Sequence, residues 1–93
     1  MITKEEAYKI AVAYLKEKNR SYSSLDKVDE VGFIENKEII YGNRKGEMSD
    51  MFIITYGELW GFEERSFFIS IDAETGEVLY TLTPHGFAED FDE

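Results

Sequence analysis

The stretch FISIDAETGEVLY, Phe68 to Tyr80, holds two alternating apolar segments on either side of a short polar turn with one glycine. Period-two alternation marks half-buried strands. The turn admits two readings, a calcium loop or a hairpin. An EF-hand loop needs oxygen ligands at positions 1, 3 and 5, glycine at 6 and a bidentate glutamate at 12. Counted from Asp72, Glu74 stands at position 3, Gly76 arrives at position 5, and no glutamate occupies position 12. The template fails. Asp72 instead suits an Asx-turn that bonds the following backbone, and Gly76 supplies the positive φ of a tight hairpin.

Outward from this hairpin the chain reads as more strands. RSFFISID (65–72) and EVLYTLT (77–83) flank the turn, and Pro84 ends the second. Alternation puts Phe67, Ile69 and Ile71 on one face of their strand, and Val78, Tyr80 and Leu82 on one face of the next. Upstream, KVDEVGFIE (27–35) and EIIYG (38–42) read as short strands around a turn at ENKE. NRKGEMSD (43–50) is a polar loop, MFIITYG (51–57) a strand and ELWGFEE (58–64) a connection.

The N-terminal stretch TKEEAYKIAVAYLKEK (3–18) has the other period. Ala7, Ile10, Ala11, Tyr14 and Leu15 recur at helical spacing and form one apolar stripe. Thr3 and Glu6 make a capping box, and Asn19 opens the polar run that ends the helix. The expected fold is α+β: one N-terminal helix packed on a four- to five-stranded antiparallel sheet, in two layers. A single domain spans 1–84, and 85–93 is an acidic, flexible tail.

ITKEEAYKIAVAYL, leading into a sheet that ends in FISIDAETGEVLY, resembles the PepSY-type domain. The residues that carry the resemblance are Thr3, Glu5, Glu6 and Ala7 in the helix, and Ile71, Asp72, Thr75, Gly76, Glu77 and Val78 in the hairpin. It implies a PepSY-like or cystatin-like layout and a regulatory or inhibitory module acting on a peptidase or a membrane-associated partner. A similar helix-plus-sheet layout with this hairpin occurs among small immunity proteins that neutralise bacterial toxins. The short acidic chain suits that setting better, because it shows neither a leader nor a membrane span.

Composition narrows the function classes. Ninety-three residues make one core, and 43% hydrophobic content with seven Phe, six Tyr and one Trp can fill it. There is no cysteine, hence no disulfide and no thiolate chemistry. The first ten residues carry four charges and no apolar run of signal-peptide type, so the expected location is the cytoplasm. Twenty acidic against ten basic residues give a net charge of −10. That field repels phosphate backbones and anionic membranes, so neither nucleic acid nor membrane is an expected partner. It attracts and steers a basic protein. An uncovered sheet edge would also allow a homodimer.

Catalytic constellations are poor. The single His85 has no cysteine or second histidine to work with, and no carboxylate pair is singled out among twenty acids. Gly32, Gly42, Gly46 and Gly57 are isolated and build no phosphate loop. Glu89, Asp90, Asp92 and Glu93 read as a solvated tail rather than a cation site. The chain is therefore expected to be non-enzymatic, with no cofactor and no metal. Trp60 and Phe62, rimmed by Glu58, Glu63 and Glu64, have the composition of a binding hot spot, to which Tyr56 adds. Trp60 has a second reading, packing over the end of the core. The expected function is that of an immunity protein occluding the active site of a basic toxin, with the PepSY-type module as the alternative.

Overall fold

The computed structural model describes residues 1–42, 44–83 and 88–89. Helix α1 (Lys4–Glu17) is followed by strands β1 (Ser24–Leu25), β2 (Gly32–Glu38), β3 (Met48–Trp60), β4 (Glu63–Asp72), β5 (Val78–Leu82) and β6 (Ala88–Glu89). All strand pairings are antiparallel. The sheet runs β1-β3-β4-β5-β6, with β2 also paired to β3. The fold is α+β, one N-terminal helix on an antiparallel sheet, with six strands among the described residues. Ala88–Glu89 form β6 inside the stretch expected as a tail, while His85, Phe87 and Phe91 lie outside the described residues.

The helix ends follow from their residues. The Thr3 amide donates to Glu6 Oε1 at 2.9 Å, and the Glu6 amide donates to Thr3 Oγ1 at 3.1 Å. At the other end Asn19 takes a positive φ of 55°. The Arg20 amide reaches back to the Leu15 carbonyl at 2.9 Å and the Asn19 amide to Lys16 at 3.1 Å. Those two bonds are a Schellman cap with asparagine in the left-handed position. Ala7, Ala11, Tyr14 and Leu15 are buried, and Ile10 packs against the same core.

Strand register sorts the sheet into two faces. Phe52, Ile54 and Tyr56 pair with Ile71, Ile69 and Phe67, and all six lie in the core cluster with the helix. Inside this layer the Tyr14 hydroxyl bonds the buried Thr81 hydroxyl at 3.0 Å, the polar group of each satisfying the other. Met51 and Ile53 point to the opposite face, where Ile39, Met51, Leu79 and Tyr80 make a second buried cluster. Ile40 and Tyr41 cover its edge.

Three expectations are corrected. Val78, Tyr80 and Leu82 do not share a face: Val78 packs with the helix-side core, Tyr80 and Leu82 with the other cluster. A bulge is the cause, since Ser70 pairs with Tyr80 but Ile71 with Val78, leaving Leu79 as the extra residue. ENKE is not a turn but the C-terminal half of β2, and a bulge between Ile34 and Lys37 absorbs it. There Asn36 adopts φ 50°, and its amide is held by Asp50 Oδ1 at 2.8 Å. The true reversal is closed by Ile39, whose amide donates to the Glu47 carbonyl and whose carbonyl accepts from Gly46, each at 2.8 Å. All seven residues of β2 are exposed, and its outer edge meets no described strand. An exposed edge strand carries the polar residues that imitate a turn, and the bulge twists this edge away from strand partners. The third correction is the start of the strand expected at 27–35: Val28–Glu30 form a 3₁₀ turn instead, its start fixed by the Lys27 amide on Glu30 Oε1 at 2.7 Å.

The Asp72 turn is a hairpin in which the oxygens of Asp72 are all in use. Asp72 Oδ1 accepts from the amides of Glu74 at 2.8 Å and Thr75 at 3.3 Å, and Gly76 takes φ 79°. Oδ2 accepts from Arg44 at 2.7 Å, and Arg44 also binds Glu77 at 2.8 Å and Glu47 at 3.0 Å. The one locally basic loop of the sequence is thereby clamped to the hairpin.

Candidate functional site

The stretch expected as the connection ELWGFEE is almost all strand. Leu59 pairs with Glu64 and Trp60 with Glu63, so β3 and β4 run to a two-residue tip, Gly61-Phe62. Gly61 takes φ 67° at the first tip position, the place that suits glycine in a two-residue hairpin turn. This geometry pushes Phe62 fully into solvent. Leu59 is 61% exposed beside it. A phenylalanine exposed at the end of the β3–β4 ladder, with no side-chain partner among the described residues, is a feature that core packing does not explain.

The base of the tip is tied to the chain that follows the helix. β1 pairs Ser24 with Gly57 and Leu25 with Tyr56. Ser23 and Ser24 donate their hydroxyls to Glu64 Oε2 at 2.6 and 3.0 Å, holding the Glu64 carboxyl below the usual glutamate range. A Cβ on Gly57 would stand 2.6 Å from both Glu64 Cδ and Ser24 Oγ, so only glycine leaves room for this link. Gly57→Ala is therefore expected to preserve the fold, because both obstructing groups are side-chain ends that can swing away. Its stability should stay within about 1 kcal/mol of the parent, as lost bonds are offset by alanine's smaller entropy cost. The Glu64 carboxyl should rise toward the ordinary range. Side-chain carboxyl NMR titration checks this, and an unmoved Glu64 would mean that the serine bonds survive.

This link sets Tyr22 over the sheet end. Its ring meets Tyr56 edge-on at 6.5 Å between centroids, and the residue stays 44% exposed. Tyr22, Ser21, Ser23, Glu58 and Leu59 line a shallow cleft of about 250 Å³. On the other side of Tyr22 a second cleft of about 310 Å³ is lined by Val12, Leu15, Lys16, Asn19 and Arg20. On the tip itself Glu63 pairs with Arg65 at 2.7 Å.

Of the residues expected to bind a partner, Phe62, Glu58, Glu63 and Glu64 thus gather at one end of the molecule. Trp60 holds the last rung of the ladder through its backbone, and its side chain lies outside what is described. Tyr56 is corrected: it is 1% exposed and stacks on Phe67 at 4.9 Å, in the core. Tyr80 is likewise buried, and burial pushes its hydroxyl up from the ordinary tyrosine value. Sequence reasoning missed Tyr22, Leu59, Ser23, Ser24 and Gly57. Only Gly57, isolated in a β-branched and aromatic strand, gave a signal, since such a glycine marks a close approach.

Among the described residues no three His, Asp or Glu side chains converge as a metal set, and no helix is long and apolar enough to cross a membrane. Compared with protein-family models, curated proteins and solved structures, the chain has no match in any of the three.

Proposed function

We propose that this chain is a non-enzymatic protein-binding domain of the immunity kind, acting in the cytoplasm on a basic toxin. It docks the β3–β4 tip in the partner's cationic active-site cleft and occludes it. The observation that carries the reading is Phe62, fully exposed on a two-stranded projection and flanked by Leu59 and by Glu58, Glu63 and Glu64. An apolar anchor inside a charged rim is the anatomy of a protein interface. The net charge of −10 speeds encounter with a cationic surface, and the buried anchor slows release. A second reading rests on the PepSY resemblance, whose residues Asp72, Thr75 and Gly76 lie in the Asp72–Glu77 hairpin turn. It makes the same tip the contact of a regulatory module with a peptidase.

The test is capture from native lysate with tagged protein at ~50 mM and ~500 mM salt, conditions that differ several-fold in screening length. The expected result is one basic protein, retained at low salt and released by high salt or by Phe62→Ala. Expressed without this chain, that protein should be toxic; a peptidase in its place selects the second reading. A partner retained equally by Phe62→Ala would overturn the role of the tip.

A further inference from the structure

We infer that the cleft between Tyr22, Glu58 and Leu59 is a receptor for an arginine side chain of the partner, which rests on the docking role of the tip and specifies its chemistry. The three tip carboxylates are not equivalent. Glu64 is engaged by Ser23 and Ser24, and Glu63 by Arg65. Glu58 is half-buried and lines the cleft of about 250 Å³, yet no hydrogen bond or ion pair joins it to another described residue. Its cross-strand neighbour is Arg65, whose guanidinium turns to Glu63 instead. A half-buried carboxylate gains most from a cation brought to it out of water.

The walls choose which cation. Tyr22 offers a ring and Leu59 an aliphatic face, while Ser21 and Ser23 add small polar groups. A guanidinium stacks flat on an aromatic ring and forks onto a carboxylate, with its apolar stem lying along the aliphatic wall. An ammonium is more strongly hydrated and lacks the plane. The neighbouring cleft carries Lys16 and Arg20, so a cation is directed to the Glu58 side of Tyr22 rather than across it.

The probe is N-acetyl-arginine amide, added to the full ¹⁵N-labelled chain while backbone amide shifts are followed. Saturable shifts are expected at Tyr22, Ser23, Glu58 and Leu59, with the lysine analogue binding about threefold more weakly. Glu58→Gln should weaken the arginine probe about tenfold and Tyr22→Leu about threefold, both with an unchanged amide spectrum elsewhere. Non-saturating shifts spread over the acidic surface, or equal binding to Glu58→Gln, would overturn the site. Tighter binding of the lysine analogue would overturn its assignment to arginine. The probe needs no partner, so its failure is separable from that of the docking reading. A partner captured through Phe62 but indifferent to Glu58→Gln, with no probe binding, sinks this inference alone.

Discussion

Replacing Tyr56 with alanine is expected to cost about 3–5 kcal/mol of stability, the range for removing a large buried aromatic. The ring is 1% exposed, stacks on Phe67 at 4.9 Å and meets Tyr22 edge-on. Its loss would open a cavity under β1 as well as removing apolar area from the helix-side layer. Small domains hold only about 5–15 kcal/mol in all, so the variant should be largely unfolded in mild denaturant. Phe62→Ala is the contrasting case. That side chain buries nothing within the chain, and its removal should leave stability within about 0.5 kcal/mol. Urea unfolding of the two variants separates a core tyrosine from a surface anchor six residues further along the chain. If Tyr56→Ala unfolds like the parent, the sheet end is not packed as described.

The second large effect is expected at Arg44. Its guanidinium bonds Asp72, Glu77 and Glu47, and the Asp72 side chain is only 3% exposed. Arg44→Ala would leave that carboxylate buried without its cation. A fully buried pair broken in this way costs about 3–5 kcal/mol, and the 27% exposure of Arg44 reduces the expectation to about 2–3. Burial alone would raise the Asp72 carboxyl; Arg44 and the amides of Glu74 and Thr75 outweigh it and hold the group below its ordinary value. A carboxyl lowered in the folded state adds stability above its unfolded value, near pH 4, and loses it as pH falls through the lower folded value. The gap in stability between parent and Arg44→Ala should therefore be widest near pH 7 and shrink below about pH 4. Urea melts at both ends of that range measure it. An equal gap at neutral and acid pH would mean that Arg44 contributes by packing rather than by charge.

The local elements were legible because their physics is local. Thr3 and Glu6 cap a helix three residues apart, and Asp72 and Gly76 close a hairpin five residues long. Alternation and helical spacing then marked which residues of α1 and β4 face the core. The tertiary structure decided what depends on pairing across long sequence distances. Two bulges changed the faces of β5 and carried β2 through ENKE, because a bulge shifts side-chain parity without altering composition. The candidate site is of that kind. Phe62 and its acidic neighbours are adjacent in sequence and could be seen. Tyr22, Ser23 and Ser24 reach them only because β1 pairs with β3 over some thirty residues, and Gly57 is what leaves them room. Sequence alone determined a capped helix, alternating strands and a negative surface; the register of the sheet decided which aromatic went inside, which stayed out, and which tip carboxylate pairs with no described residue.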